Sequence, residues 1–374
     1  MSKLVFRLIA LLLLTALAHI PAYTSDCWEY SKIIKKEFPI SARGAVSLSN
    51  KFGKIEVQAW DGQRVKIESI ILVRASGEAA AQRVFNRINV LINNGPESVN
   101  AETTIAPQKR DWWDWGVEEE EDFSISYKVF MPPGAKLIAR NKYGDLFVSG
   151  IKGRAELSVR YGHLSVEGLF SDSEITLEYG SGMIEKAGRL NVNLERARLI
   201  VEDVRLLTMN SRYSVVQMNR VAESITTTKY DTYDVDEAGR FANTGEFDQI
   251  YIKSALEVSV DSRLTQLNVG KVADKLRLHI DSSGVRVIAV GRNFKEVDLA
   301  GKFTDFQIGI EEGAAYQMNA VADYAGIRYP RNFRVLVEKE HGANHEVQGQ
   351  AGEGRAPRVL RARLSYGALR VGEE

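Results

Sequence analysis

The sequence predicts an all-β protein: a right-handed, single-chain β-solenoid of the parallel β-helix kind, with coils of 17 to 18 residues and a short helix capping its N-terminal end. Three observations carry that prediction. The stretch 141–169 holds one unit twice, Tyr143-Gly144-x-Leu146-x-Val148 with Ile151 and then Tyr161-Gly162-x-Leu164-x-Val166 with Leu169, 18 residues apart. The same template recurs at Tyr179, Arg196, Tyr213, Tyr230, Phe247 and Leu264 in steps of 18 or 17, then more loosely at Ser282, Phe303, Tyr324 and Tyr366. An internal period of this length marks a repeat architecture.

The third observation is the chemistry of the columns. Three residues after the Tyr position the coils carry Leu146, Leu164, Gly182, Leu199, Val216, Tyr233, Ile250 and Leu267; the columns five and eight after it are also almost wholly apolar, so all three point inward. One residue before it lie Lys142, Arg160, Glu178, Glu195, Arg212, Lys229, Glu246 and Arg263. Stacked coils repeat about every 4.8 Å, which sets opposite charges side by side at 160/178, 195/212, 229/246 and 246/263. Exposed pairs of this kind are worth roughly 0 to 1 kcal/mol each and help fix register more than stability. The apolar alternation changes phase at the Tyr-Gly step, so two short strands meet there at a corner, and Gly144, Gly162 and Gly180 suit a bend that other residues resist.

Taken in order, residues 1–25 read as a secretory leader: Lys3 and Arg7, an apolar run over 8–17, and small residues at Ala16 and Ala18. The apolar run is shorter than a membrane span, and no second one follows, so no transmembrane segment is expected in the mature chain. Export to the periplasm, the outer surface or the medium is the expected localisation. Cys27 is the only cysteine, which excludes an internal disulfide.

Residues 37–130 form a β-rich N-terminal segment. In it, Asn50-Lys51-Phe52-Gly53-Lys54-Ile55-Glu56-Val57 is a degenerate copy of 141–148, so the solenoid starts there, with 65–73 as the next strand. Residues 78–86 predict a short helix, and Ile88, Val90 and Ile92 a strand entering a turn at 93–96. Residues 109–122, KRDWWDWGVEEEED, hold Trp112, Trp113 and Trp115 beside an acidic run. Such a loop either offers an indole-rich contact surface or folds back on the solenoid flank with a solvated tip. Residues 131–372 are the solenoid repeat domain, interrupted over 333–358 by a polar, Gly-rich segment and closed by 358–371 as a final coil.

Composition narrows the function. With 49 basic and 49 acidic residues the chain has no net charge and no electrostatic footprint for nucleic acid. His341 and His345 lie four apart, but Gly342 argues against the helix that a two-histidine metal site needs. No nucleophile elbow, dinucleotide fingerprint or phosphate loop is present. No catalytic residue, cofactor or metal is therefore expected. The one enzymatic alternative is a β-helix-type polysaccharide lyase or glycoside hydrolase using Asp231, Asp234 and Asp248 with Arg263, since Asp248 stacks one coil beyond Asp231.

The opening Gly53-Lys54-Ile55-Glu56-Val57, the turn Met131-Pro132-Pro133-Gly134 and the repeated [Tyr/Asn/Ser]-Gly-x-[Leu/Val]-x-Val coils resemble the bacterial family of secreted "putative adhesins" with β-strand repeats, over residues 37–372. The resemblance implies an exported, non-enzymatic adhesin or scaffold that presents a repetitive surface to a protein or glycan partner, and it transfers no functional residue. The candidate contact surface comes from the residues themselves. Four after the Tyr position lie Phe147, Ser165, Met183, Ile200, Gln217, Asp234, Tyr251 and Asn268. Phe147, Met183, Ile200 and Tyr251 are more apolar surface than an outward column needs, and with Trp112, Trp113 and Trp115 they make the expected site.

Overall fold

The computed structural model describes residues 27–107, 122–353 and 358–373. The expected leader and Trp112, Trp113 and Trp115 lie outside these residues. Among the described residues, twenty-seven strands hydrogen-bond into one continuous sheet, wound into a solenoid. The only described helix, Glu78–Arg87, falls where the sequence places it. It buries Ala81, Val84 and Phe85 against the strands that finish the N-terminal end, chiefly Arg64–Ala75.

Each coil supplies one strand before the corner and one after it, and each kind stacks in parallel on its own face. Register advances one coil per step: Leu146, Leu164, Gly182 and Leu199 pair in succession on one face, and Ala139, Leu157, Ile175 and Val192 on the other. The fall from 18 to 17 residues per coil has a structural counterpart. From Ser181–Glu195 onward, the strand leaving one corner runs unbroken into the next, 15 residues long, with a two-residue corner between successive strands. In the 18-residue coils the chain breaks into two shorter strands, such as Ala155–Arg160 and His163–Val166. The three columns read as inward are buried along the whole stack and form a single core.

The corner is made differently from the sequence expectation. Every non-glycine residue with positive φ among the described residues belongs to the Tyr column, thirteen in all from Phe52 to Tyr366, with φ between 49° and 62°. The aromatic residue, not the glycine after it, takes the left-handed conformation that L-residues resist. Its N–H donates to the carbonyl one coil on, as Tyr143 does to Arg160 (2.9 Å) and Tyr161 to Glu178 (3.0 Å). The glycine serves another purpose. A Cβ at Gly144 would lie 1.9 Å from the Gly53 oxygen, and one at Gly162 would lie 2.1 Å from the Gly144 oxygen. Backbones meet there too closely for any side chain.

From Ala197 to Ala325 the same column carries side chains, and several polar ones turn into the corner and take up backbone donors, while glycine returns at Gly367, where a Cβ would lie 2.1 Å from the Thr304 oxygen. Ser214 Oγ accepts the Ala197 N–H (3.3 Å), Asp231 Oδ1 that of Ser214 (2.6 Å), and Asp248 Oδ1 that of Asp231 (2.9 Å). Ser283 Oγ likewise accepts the Thr265 N–H (2.9 Å), whereas the hydroxyls of Thr265 and Thr304 donate to carbonyls, Thr265 to Arg263 (3.2 Å) and Thr304 to Ile280 (2.6 Å). That run of Ser, Asp and Thr in place of glycine is the sequence signal for the change.

The ends depart from sequence order. Ala45–Lys51 stacks on Lys136–Lys142 with Asn50 opposite Asn141, as the degenerate copy implies. Residues 65–73 form the expected strand, but it is not a further parallel coil. Strand Arg64–Ala75 runs antiparallel to both Trp28–Pro39 and Asp122–Met131. The coil outside the first one is built from Ser98–Ile105 and Asp122–Met131, later in the chain. At the other end the last coil does not close the stack. Arg358–Ser365 lies between Glu296–Lys302 and Tyr316–Asp323, parallel to both. The antiparallel pair Arg334–His341 and Asn344–Ala351 finishes the edge. Antiparallel strands at both ends change the hydrogen-bonding pattern that a further parallel coil would continue, one way to blunt an open sheet edge.

Candidate functional site

Two ladders run along the solenoid axis beside the corner. In the first, the positive-φ residues stand outward and stack. Phe52, Tyr143, Tyr161 and Tyr179 follow one another with ring centroids 5.0 to 5.1 Å apart. The Arg196 guanidinium takes the next place, 5.6 Å from the Tyr179 ring and 5.1 Å from that of Tyr213. Tyr213, Tyr230 and Phe247 continue the stack. Stacked pairs of this kind are worth about 0.5 to 1.5 kcal/mol beyond burial, which helps offset the strained φ. Arg196 thus substitutes for an aromatic ring through its flat, cationic face.

The second ladder is the charged column. Arg160 pairs with Glu178 (3.0 Å), Arg212 with Glu195 (2.7 Å), and Glu246 with both Lys229 and Arg263. These are the neighbour pairs expected from the repeat. The hydrogen bond from Arg212 holds the Glu195 carboxyl below the usual range, and those from Lys229 and Arg263 do the same for Glu246. Between this column and the one two residues earlier lies an open groove of about 810 Å³. One side carries the outward polar residues Thr176, Asn193, Asn210, Thr227, Thr244, Asp261 and His279. The other carries Glu178, Glu195, Arg212, Lys229, Glu246, Arg263 and Asp281. The inward residues beneath are small at Ser211, Thr228, Gly245 and Ser262.

The predicted apolar column sits on the opposite strand face, with side chains half-buried at Phe147, Met183 and Ile200 and exposed at Tyr251. Register makes only Met183 and Ile200 neighbours: Ser165 separates Phe147 from Met183, and Gln217 and Asp234 separate Ile200 from Tyr251. Trp112, Trp113 and Trp115 lie outside the described residues. The acidic set is divided between environments. Asp231 and Asp248 are buried in successive corners, where Asp231 Oδ2 accepts from Ser211 (2.7 Å) and Asp248 Oδ2 from Thr228 (2.6 Å). Asp234 is exposed on the outward face beyond, and Arg263 is held by Glu246. Burial pushes Asp231 above the ordinary carboxylate value and Asp248 up to about 6.

That shift has a measurable consequence. A carboxyl with a higher pKa folded than unfolded binds its proton more tightly in the folded state. Its contribution to stability therefore grows as pH falls through 6 and is lost as pH rises through it. The glutamates held low act in the opposite sense only below the ordinary carboxylate range. The denaturant midpoint is expected to rise between about pH 7.5 and about pH 5.5, and Asp248→Asn to flatten that slope. A midpoint that falls over this interval would show that burial does not control Asp248.

Fold and surface together define a β-solenoid with regular outward ladders and a polar groove along its axis. No family model and no curated protein matches the sequence. The chain is similar to solved structures described as a "putative cell adhesion protein" from Clostridium sporogenes and a "putative adhesin" from Parabacteroides merdae. The first is 8% identical, with a TM-score of 0.22, covering 92% of this chain and 100% of that one. The second is 9% identical, with a TM-score of 0.28, covering 92% and 96%. A third, a "putative adhesin" from Bacteroides fragilis, is 10% identical, with a TM-score of 0.24, covering 91% and 97%. Among the described residues no helix is long and apolar enough to cross a membrane.

Proposed function

We propose that this is an exported, non-enzymatic adhesin or scaffold whose repetitive outward faces engage a protein or glycan partner. The observation that carries the reading is the recurrence of like side chains at one-coil spacing outside a rigid core, in the stacked aromatic column and the polar groove beside it. Such a surface offers many equivalent weak contacts in register, which suits adhesion to a repetitive partner through multivalency. The outward column of Phe147, Met183, Ile200 and Tyr251 is a second face for the same partner; Trp112, Trp113 and Trp115, expected to join it, lie outside the described residues.

The alternative, a polysaccharide lyase or hydrolase, needs carboxylates that reach substrate. Asp231 and Asp248 are instead engaged with backbone N–H groups and hydroxyls inside the corners. The test is incubation with a panel of immobilised and soluble polysaccharides, with and without Ca²⁺, scoring retention and chain cleavage separately. Retention without cleavage is the expected result. Cleavage that disappears in both Asp231→Ala and Asp248→Ala would replace this reading with the enzymatic one.

A further inference from the structure

We propose that the polar groove beside the charged column is a glycan site that takes one linear, neutral polysaccharide chain laid along the solenoid axis. The inference rests on the binding-protein reading above and names its ligand. At about 810 Å³ the groove is far larger than the hollows beside Lys66 and Phe147, of about 240 and 210 Å³. It runs past seven coils, from Glu178 to Asp281, a length of roughly 29 Å at the inter-strand spacing.

Three features select the ligand. The hydroxyls of Thr176, Thr227 and Thr244 make no hydrogen bond to any described residue, and Asn193 has only a long contact from Asn210 (3.4 Å). Over its first five coils one wall is thus a row of hydroxyls and amides repeating once per coil, continued by the Asp261–His279 pair (3.8 Å) in the last two. The facing wall never presents more than two like charges in succession, and most of its charges are paired with neighbours. A polyanion or polycation therefore finds no continuous complement, whereas a polyhydroxylated chain meets donors and acceptors on both edges. Spacing disfavours an extended peptide, whose like-facing side chains recur at about 6.6 Å against about 4.8 Å for the coils. A chain of β-1,4-linked pyranose rings advances by close to one coil per sugar with alternate rings turned over, so the same ring edge returns to each wall about every second coil.

The neighbouring aromatic ladder does not supply the usual sugar platform. Its rings lie face to face about 5 Å apart, so their faces are already covered by one another. Recognition falls to the hydroxyls and amides of the groove, with a small contribution per sugar. Affinity should therefore grow with oligosaccharide length and level off near six or seven sugars.

The experiment titrates the full mature chain with β-1,4- and β-1,3-linked gluco-oligosaccharides of two to eight units by calorimetry. Two groove variants are compared, the double variant Thr227→Val with Thr244→Val, which preserves shape and strand preference, and Asn210→Leu. Tyr251→Ser reports the opposite face, and denaturant midpoints confirm folding of each protein. The expected result is length-dependent binding, weakened at least tenfold in both groove variants and unchanged by Tyr251→Ser. Loss through Tyr251→Ser with the groove variants unaffected would overturn the groove while leaving the binding-protein reading in place. No binding of any neutral oligosaccharide by the unaltered chain would overturn it as well, and retention on a protein-coated surface would then show that the broader reading survives without it.

Discussion

Deletion of residues 354–374 is expected to unfold the C-terminal end over 316–351 while leaving the coils up to Val290 folded. The last coil is an inner layer. Phe303 donates its N–H to Ser365 (2.8 Å), Tyr366 donates to Asp323 (2.9 Å), and the rings stack in the order Phe303, Tyr366, Tyr324. Removing it strips hydrogen bonds from the layers on both sides and takes Leu360, Leu364, Leu369 and Val371 out of the core. A fully buried aliphatic side chain contributes about 1.5 to 3 kcal/mol, so the layers outside it lose far more than a local segment can spare. In a solenoid each coil leans mainly on its neighbours, which confines the damage to that end. Hydrogen exchange would show it as lost amide protection over 316–351 and retained protection before Val290. A synthetic peptide of residues 358–374 should restore protection when added to the truncated chain. Full protection in the truncated chain alone would mean that the Tyr324 coil settles directly on the Phe303 coil and that the inserted layer is dispensable.

This insertion also shows where the sequence ceases to be informative. Inward columns, the corner position and the neighbour charge pairs were all legible, because each repeats at a fixed distance from the Tyr column and is tested again in every coil. Stacking order is not periodic information. Leu299, Ala320 and Ala362 present the same small or branched apolar surface to the core, so nothing in the columns says that the layer of Ala362 lies between the other two. The connections and the antiparallel strands 334–351 decide it. The acidic alternative was misplaced for a related reason. Asp231 and Asp248 fall one residue after the Tyr position, where glycine stands in the earlier coils, and parity alone does not reveal that a side chain there turns inward to accept a backbone N–H. The groove is not legible in the sequence because its outer column, Thr176, Asn193, Asn210 and Thr227, has the polarity of any solvated strand face; stacking is what turns it into a continuous wall.

Gly162→Ala is expected to destabilise the protein by more than about 4 kcal/mol, at the extreme of single substitutions. Flexible side chains do not surround the site. The new Cβ would lie 2.1 Å from the Gly144 carbonyl oxygen and 2.7 Å from its carbon, and Gly180 stands in the same relation to Gly162 on the far side (2.2 Å). Relief requires two coils to separate, which breaks the parallel pairing of Leu164 with Leu146 and the stacking of Tyr161 on Tyr143. Gly182→Ala, in the next coil, provides the comparison. There the added carbon would meet Leu199 Cδ1 at 3.1 Å and Leu177 Cδ2 at 3.2 Å, ends of side chains that can turn aside, so a loss of about 1 to 3 kcal/mol is expected. Ala197→Gly, at the first coil where this column regains a side chain, removes one methyl group and is expected to lose about 1 kcal/mol, mainly by loosening the unfolded chain. Denaturant midpoints of the three variants at constant m-value give the order directly. If Gly162→Ala unfolds no more easily than Gly182→Ala, close backbone approach does not explain the glycine column, and the corner must owe its glycines to something other than space.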